Sequence, residues 1–504
     1  MPAKSTRQAA RLLLATAAML LAEAAGAATY TITTLVEDTS NNGNCTLREA
    51  LLAASTDTTN DQCIGDVGPD TIVLDALGTY SLTAGAIASA SRQVTIRGDG
   101  DHANTSYVVD LGGAQRLLYV LGNSSLTLEN FTVINGFVAG QGGVVLAEDS
   151  DLTLRRMAIK FSGATDGGGV AFRSHGGKTL DVVETTFDQN TAQANQSQGG
   201  GLFVDLQAGG TVRVVASSFL SNEILSVSGS FARSGAGLSL QSFAPATVEL
   251  RHLDFYGNLI TAPSFSSGAG ARLSLANQAT GSVTLEDLDF ENNSFGTFAG
   301  SNTDVGLSVS ADDGTVTARR IRLVQNHGGT SRSQGSISIS GAGQATVSDV
   351  LAANGEGWGL FLSTSGTASL LAGNLTVAGN ADDGLQLAEN AGTLRVENSI
   401  AFGNATSSGT NLHVFNGTPD VSAENLVGVD PQFVNAAGGD FRLGPTSVAA
   451  NAGNQAFLSV GPFDVAHADR VVGVQLDLGA LERGALFSDD FEKGDFYAWS
   501  TALP

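Results

Sequence analysis

The chain has 504 residues, of which 63 are glycine and 9 are proline, and its formal net charge is −24. Its 42% of hydrophobic residues is too high for a disordered chain. So acidic a surface repels nucleic acid and anionic lipid, so we expect neither as a partner. Abundant glycine, valine, serine, threonine and asparagine with little proline indicate many short strands joined by turns.

Residues 1–28 have the features of a secretory signal peptide. Lys4, Arg7 and Arg11 stand ahead of an apolar run that ends in small residues, and we expect cleavage after residue 27 or 28. Glu23 interrupts this run, which is shorter than the ~20 apolar residues of a membrane span. No later segment is long and apolar enough to span, so we predict an exported mature chain without a transmembrane segment.

A short helix is predicted near the start of the mature chain. The motif Thr-Leu-Arg-Glu at 46–49 is a capping box, in which the threonine and glutamate side chains bond to the first backbone N–H groups. Leu47, Ala50, Leu51 and Ala54 then fall on one helical face. This face suits a lid over strand edges that would otherwise invite aggregation.

Both cysteines of the chain, Cys45 and Cys63, flank this predicted helix. An even number of cysteines in an exported protein predicts a disulfide. A redox or nucleophilic pair is the alternative, but the sequence has no Cys-x-x-Cys motif and no histidine nearby. The spacing therefore favours a structural bridge.

A repeat occupies the middle of the chain. Each copy has alternating apolar residues, often a phenylalanine, and then an asparagine, and successive asparagines are about 24–36 residues apart. A glycine followed by a second alternating strand recurs with the same rhythm. The recurring asparagines are Asn190, Asn222, Asn258, Asn293, Asn326, Asn354, Asn380 and Asn404.

Two strands of period two per repeat, without a helical pattern, predict a β-solenoid whose coils contain three short strands. Phe187, Phe219, Phe255 and Phe290 should then form a buried column, because equivalent positions stack on each other. Asparagines at a fixed turn can adopt left-handed geometry and bond to those above and below them. We therefore predict a structural asparagine ladder without a catalytic role.

The repeat region, 91–410, resembles the right-handed parallel β-helix of pectin-lyase-like proteins. Residues 29–90, with TYTITTLVEDTSNNGNCTLREALLAA followed by GPDTIVL, resemble the CSLREA domain that begins many secreted bacterial β-helix proteins. This resemblance implies a cap on the solenoid and a protein that is secreted or held on a bacterial cell surface. It implies no particular reaction.

The C-terminal part contains two further predicted segments. Residues 411–485 resemble the choice-of-anchor Q domain through VDPQFVNAAGGDFRLGPTSVAANAGN and VVGVQLDLGALE, and differ from it at Asn451, where that motif has aspartate, and at Ala468, where glycine is common. The resemblance implies a C-terminal cap with a role in surface attachment. Residues 486–504 are similar to a short tail of other secreted bacterial proteins.

Three short motifs raise the possibility of polysaccharide hydrolysis. Asn302-Thr303-Asp304, Asp312-Asp313 and Asn326-His327-Gly328 are similar to motifs of polygalacturonases. A glycosidase needs two carboxylates that flank the same bond. Asp304 and Asp312 are too close in sequence to stack on adjacent coils, and the first glycine of the histidine motif is missing. The motifs therefore disfavour catalysis by these residues.

A lyase would need a basic residue next to bound Ca²⁺. Arg319, Arg320 and Arg322 follow the acidic pair 312–313 and are the candidates, but an outward strand of ion pairs explains them as well. The histidines at 102, 175, 252, 327, 413 and 467 have no zinc-binding spacing.

Together these features predict an all-β, right-handed parallel β-helix with a short N-terminal capping helix. We expect a monomeric structural, adhesin-like or glycan-binding protein without catalytic activity, whose partner is a polysaccharide or a host or cell-surface ligand. A polysaccharide lyase or glycoside hydrolase is the alternative. No cofactor is predicted, with Ca²⁺ on acidic turns as the alternative.

Overall fold

The computed structural model describes residues 27–85, 92–100, 102–194, 196–225, 233–261, 266–296, 303–329, 332–404, 409–455, 461–472 and 474–483. The predicted signal peptide up to residue 26 and the predicted tail 486–504 lie outside these ranges. Strands of one coil pair in parallel with the equivalent strands of the next coil. The protein is a right-handed parallel β-helix, as predicted.

The front sheet contains eleven parallel strands in the described ranges. Inward residues such as Val204, Leu240 and Leu273 are buried in the core and alternate with residues that face outward. Its strands are Leu118–Leu121, Val145–Glu148, Val170–Ser174, Leu202–Leu206, Leu238–Ser242, Ala271–Leu275, Asp304–Asp312, Ser333–Ser340, Trp358–Thr364, Leu385–Glu389 and Leu412–Asn416.

From residue 118 onward the back sheet follows the front sheet in each coil, and it contains 21 strands in the described part of the chain. Parallel pairing begins at residue 29 and ends at residue 427, so it extends past both predicted bounds of the repeat region, 91 and 410. Its strands are Thr29–Ile32, Asp70–Leu74, Gly78–Ser81, Gln93–Gly98, Tyr107–Asp110, Ser125–Glu129, Thr132–Ile134, Asp151–Arg155, Ala158–Lys160, Thr179–Val183, Thr186–Asp188, Gly210–Leu220, Ala246–Tyr256, Ser282–Glu291, Thr315–Val324, Gln344–Ala353, Ser369–Ala378, Thr393–Glu397, Ile400–Phe402, Asp420–Ala423 and Leu426–Val427.

The side sheet closes five of the described coils with short parallel strands. Its strands are Gly163–Ala164, Thr191–Gln193, Glu223–Leu225, Leu259–Thr261 and Ser294–Phe295. Arg233–Ser234 and Ser266–Ser267 form a separate parallel pair, and Phe433–Asn435 and Asp440–Leu443 form an antiparallel pair. Helix α1 is Leu47–Thr56, and single 3₁₀ turns occupy Asn104–Ser106 and Ala436–Gly438.

One residue with positive φ bends each long strand of the back sheet, and the register between coils skips it. These residues form the bend column, in which the side chain leaves the sheet at a corner. The bend column of the long strands contains Ala216, His252, Asp287, Arg320, Asp349 and Asn374.

The predicted phenylalanine column is confirmed. Ring centroids of Phe187, Phe219, Phe255 and Phe290 are 4.9, 4.8 and 4.6 Å apart, and the rings are stacked and buried. This spacing equals the ~4.8 Å between paired strands, so the backbone itself brings the rings into face-to-face contact.

A ladder of buried asparagines lies at the corner between the back and side sheets. The Oδ1 of Asn258 accepts hydrogen bonds from the backbone N–H and the Nδ2 of Asn222, at 3.0 and 3.1 Å. The Nδ2 of Asn258 also donates to the carbonyl of Phe219. The same pattern repeats from Asn190 to Asn326, so each amide joins two or three coils.

Asn354 lies outside this ladder, contrary to the prediction. The side-chain amide of Gln334, in the front sheet, bridges the ladder in place of Asn354. Its Oε1 accepts hydrogen bonds from Asn326, and its Nε2 donates to Asn380 Oδ1 at 2.7 Å. The ladder position of this coil is Gly355, where a Cβ would lie 2.5 Å from the Gln334 side chain. The glutamine therefore fits only because residue 355 is glycine.

The expected left-handed geometry of the ladder asparagines is also wrong. Positive φ occurs one residue before the ladder position, at Gln189, Ser221 and Asn354 among others. The prediction therefore assigns Asn354 to the ladder one residue too early. The ladder continues from Asn380 through Asn404 to Asn411, and Ser162 extends it in the other direction. The repeated turn thus combines a residue with positive φ and, directly after it, the ladder residue.

The N-terminal lid has the predicted construction. Thr46 and Glu49 form the capping box of α1, and the apolar face of the helix belongs to the main core cluster with Ile32 and Ile72. Cys45 and Cys63 form a disulfide, with Cα atoms 5.1 Å apart. The helix is therefore held on the core by burial, and the disulfide closes the segment that contains it.

The described parts of residues 429–483 fold back along the outside of the back sheet and are called the C-terminal clasp. Phe441, Val465 and Leu481 of the clasp pack with the outward residues Val324 and Leu351 of the back sheet. A second apolar cluster joins Leu443 and Leu478 to Ile400. The clasp thus covers apolar positions that would otherwise be exposed.

The polar contacts of the clasp with the back sheet involve mainly the bend column and Asn398, which has positive φ in the next coil. Asn398 exchanges two hydrogen bonds with the backbone of Asn454, at 2.9 and 3.1 Å. Arg470, which is 1% exposed, lies 3.4 Å from Asp349 and 3.7 Å from Glu482. One buried cation therefore lies between two buried carboxyl groups.

Burial raises the pKa of Glu482 from its ordinary 4.5 to about 8, although Arg470 opposes this shift. Burial also raises the pKa of Asp349 and of Asp464 in the same cluster. Between pH 4.5 and 8 the folded clasp therefore holds a proton that the unfolded chain releases. The stability of the clasp falls as the pH rises through this interval.

We predict that Glu482→Gln weakens this pH dependence, because glutamine stays neutral. Backbone hydrogen exchange in residues 464–483, corrected for intrinsic rates at pH 5.5 and 8, measures it. Wild-type protection should fall more at high pH than protection of the variant. Glu356→Gln, at an exposed glutamate, is the matched control, and equal pH dependence in all three proteins would contradict the prediction.

We predict that Asn258→Ala destabilises the solenoid, because buried groups of Asn222 and Phe219 lose their partners at about 1–3 kcal/mol each. The urea midpoint of unfolding measures the effect. Asn354→Gly is the control, since it keeps positive φ outside the ladder and should change stability by less than about 1 kcal/mol. Similar losses in both variants would show that the ladder adds no stability.

We predict that the double variant Cys45→Ser, Cys63→Ser loses about 3 kcal/mol, because the bridge restricts the unfolded chain. Thermal midpoints measure the effect. Adding reductant to the wild type should lower its midpoint to that of the double variant, whose own midpoint should not change. An unchanged midpoint would exclude a stabilising role of the bridge.

Candidate functional site

The front sheet presents two rows of outward side chains that run along the solenoid. Register places six residues in the first row, one per coil: Arg272, Ser308, Ser336, Phe361, Gln386 and His413. The second row contains Ser310, Ser338, Ser363 and Ala388. Neighbouring side chains in a row are about 4.8 Å apart.

A groove of about 480 Å³ lies over these rows. Ser308, Ser310, Ser336 and Ser338 line it with hydroxyl groups from two adjacent strands. A serine hydroxyl can donate one hydrogen bond and accept others, and that of Ser308 already donates to Asp304. This part of the groove is therefore suited to polar groups of a ligand.

Three aromatic side chains line the groove next to the serines. The ring centroid of Phe415 lies 5.9 Å from that of Trp358 and 6.4 Å from that of Phe361. The indole Nε1 of Trp358 donates to Asp382 at 3.2 Å, which fixes its ring. Phe415 is 50% exposed. The aromatic group offers apolar faces beside a hydroxyl-rich surface.

Asp304 is the single carboxylate among the described residues that line the groove. It is 7% exposed and accepts hydrogen bonds from the hydroxyls of Ser308, at 2.8 Å, and Ser333. Burial lowers the pKa of the nearby Arg272 guanidinium, while the charge of Asp304 opposes this shift. Asp304 and Arg272 thus lie on strands that precede the aromatic strands along the solenoid.

His413 and Asp383 form a pair at the aromatic end. The Nδ1 of His413 lies 2.6 Å from Asp383 Oδ2, and its ring stacks on Phe415 at 4.3 Å. Asp383 also accepts from Gln386 and Thr410. Burial raises the pKa of Asp383, but the hydrogen bonds from His413 and the backbone outweigh it and hold that pKa below its usual range. The pair supports Phe415 in its position.

The polygalacturonase-like residues do not come together. Asp304 and Asp312 stand at opposite ends of one nine-residue strand, about 26 Å apart at ~3.3 Å per residue. His327 lies at the side sheet and pairs with Glu356 at 3.2 Å. Asn302 lies outside the described residues. Carboxylates so far apart cannot act on one glycosidic bond.

The candidate lyase arginines lie on the back sheet, away from the groove. Arg319 and Arg320 pair with Glu286, and Arg322 pairs with Asp289. These are ion pairs between adjacent coils, as the alternative interpretation of the sequence, an outward strand of ion pairs, predicts.

Asp287 joins this network through Arg320, and His467 of the clasp lies 3.2 Å from it. Burial raises the pKa of Asp287, but the bonds and charge of Arg320 hold it below its usual range. These charges therefore stabilise the back sheet and its contact with the clasp.

Each of the six histidines faces a carboxylate, and they are spread over the molecule. Among the residues that the structure describes, no three or more histidine, cysteine or acidic side chains are arranged to hold a metal ion. Within the same ranges, no helix is long and apolar enough to cross a membrane.

Sequence reasoning missed the aromatic group. Trp358 and Phe361 belong to a segment that the sequence identified only as a strand, and Phe415 lies in the predicted C-terminal cap. Alignment of the repeats could have found it, because Phe361 occupies the outward position that is serine in the two preceding coils.

No family model and no curated protein matches the chain. The chain is similar in structure to one described as "Crystal structure of pectate lyase Pel9A", with a TM-score of 0.38 and 14% identity over 91% of this chain and 96% of that chain. The β-helix of the present chain is established by its own strand pairing. Its resemblance to CSLREA and choice-of-anchor Q domains stays a prediction.

Proposed function

We propose that this protein binds a neutral glycan in the groove of the front sheet. The observation that carries the proposal is the placement of Trp358, Phe361 and Phe415 beside five groove-lining serines. A ligand site of this kind combines apolar surface with a few positioned polar groups.

The chemistry of a sugar matches both parts of the groove. One face of a pyranose ring exposes C–H groups, which pack on an aromatic face, and its rim carries hydroxyls, which bond to serine hydroxyls and to Asp304. The groove runs along the solenoid axis with its rows of side chains, so an extended chain of several sugar units fits its direction. A polysaccharide segment is therefore the ligand we favour.

Charge favours a neutral glycan over an acidic one. The chain has a formal net charge of −24, and the one carboxylate among the described lining residues adds a local negative charge. Long-range repulsion would slow the approach of a polyanion and weaken its binding.

The same proposal places the protein outside the cell, secreted or on a bacterial surface. The signal-like residues 1–28 and the bridge between Cys45 and Cys63 support export, since disulfides persist in oxidising compartments. The resemblance to CSLREA and choice-of-anchor Q domains supports surface attachment. A surface glycan binder without catalytic activity is consistent with these features.

A polysaccharide lyase or hydrolase is the competing function. Its support is the proximity of Asp304 and Arg272 at one end of the groove, because a carboxylate and a cation are components of such sites. A hydrolase of the usual kind would need a second facing carboxylate. The described lining contains one, which favours binding over turnover.

We predict that Trp358→Ala weakens binding of a recognised hexasaccharide by about 30-fold, because loss of an aromatic anchor costs about 2 kcal/mol. Isothermal titration with cellohexaose, xylohexaose, mannohexaose and chitohexaose measures it. Phe415→Ala should act in the same direction. Phe243→Ala removes an exposed phenylalanine outside the groove and should leave the affinity unchanged.

Equal affinity of wild type and both groove variants would overturn the proposal. Incubation with uronate polysaccharides, read by ultraviolet absorbance of unsaturated products, and with neutral polysaccharides, read by reducing ends, tests the competing function. Turnover that Asp304→Asn abolishes would establish an enzyme instead.

A further inference from the structure

We propose that a second saccharide site lies at the corner between the back and side sheets, around Phe137 and Phe161. A hollow of about 680 Å³ occupies this corner, and its described lining includes no residue of the front sheet. It is therefore separate from the groove. The proposal adds a site to the proposed function and does not depend on the groove.

A glycine creates the space. Gly163 begins the first strand of the side sheet, and the same position holds Thr191 and Glu223 in the next two coils. A Cβ on Gly163 would lie 3.0 Å from the ring of Phe137. The phenylalanine ring therefore packs on a backbone surface that a side chain would otherwise cover, and the hollow opens beside it.

Phe161 is an unusual residue for its position. It has φ of 53°, and the equivalent residues of the next coils are Gln189, Ser221 and Gly257. Bulky aromatic residues rarely adopt left-handed geometry. The ring is also 49% exposed, so it contributes little to the core. Neither the turn nor the packing explains an aromatic residue here.

Phe137 presents a second open ring, 48% exposed. Two aromatic faces that line one hollow offer the apolar surface that ligand sites generally contain. Neither ring has a described aromatic neighbour within stacking distance. Their free faces are available to a ligand.

Polar groups around the rings point to a sugar. The Nδ2 of Asn135 donates to Asp110 Oδ1 at 3.0 Å, which orients both side chains at the rim. Thr191 and Gln193 add a hydroxyl and an amide from the side sheet. These groups both donate and accept hydrogen bonds, as sugar hydroxyls do. Asp110 disfavours an anionic ligand, so we assign a neutral saccharide.

Two sites on different faces would let one molecule bind two glycan chains or two segments of one chain. Simultaneous binding raises the overall affinity when both sites can be reached. The rigid stacking of coils keeps the two sites at a fixed separation. The protein would thus crosslink glycans and not only adhere to them.

The test uses the full chain and the hexasaccharides named above. Isothermal titration gives the number of sites. The chain has two tryptophans, so the part of the tryptophan quenching that Trp358→Ala removes reports the groove. The double variant Phe137→Ala, Phe161→Asn removes both rings, and asparagine tolerates positive φ. Phe243→Ala is the matched control, and thermal midpoints check folding.

We expect two equivalents of a recognised hexasaccharide on the wild type and on Phe243→Ala. The double variant should bind one equivalent with unchanged tryptophan quenching, and Trp358→Ala should retain the other equivalent. Phe161→Asn alone should weaken the second site at least about 10-fold while keeping the fold intact, since its new side chain suits the turn.

Unchanged stoichiometry in the double variant would overturn the second site. A single equivalent on the wild type that Trp358→Ala abolishes would overturn it too, and would leave the proposed function standing. Binding that only the double variant removes would overturn the groove and support the second site. No binding of any hexasaccharide by the wild type would overturn both proposals.

Discussion

The buried chain of side-chain amides between the back and side sheets is the interaction on which the rest of the structure depends. A coil of a solenoid contacts only its two neighbours, so its register must be fixed at each step. The amide of Asn258 bonds to Asn222, to Asn293 and to the carbonyl of Phe219. A slip of one residue would leave these buried groups unpaired, and it would also misplace the stacked phenylalanines.

Because the interior positions are fixed in this way, differences between coils are concentrated on the outward positions. Replacement of serine by Phe361 in one coil builds an aromatic wall of the groove, and Gly163 in another opens the hollow at the corner. Both sites use side chains that contribute little to the core. Function on this scaffold therefore requires few changes to the residues that stack.

The distribution of charge divides the surface in a similar way. Ion pairs between coils cover the back sheet around Glu286, and the clasp covers its apolar positions near Leu351. No described residue of the clasp lines the groove of the front sheet or the hollow around Phe161. The buried carboxyl of Glu482, whose pKa burial raises to about 8, makes the stability of the clasp depend on pH.

The sequence by itself determined the features that repeat or act locally. Periodicity identified the solenoid and the phenylalanine column, and short-range spacing identified the capping box of α1 and the pairing of Cys45 with Cys63. Only the tertiary structure decided that Gln334 replaces Asn354 in the ladder, that aromatic rings from separate coils meet, and that the clasp lies along the back sheet. A repeated contact leaves a period in the sequence, whereas a contact made once between distant segments depends on the three-dimensional path of the chain.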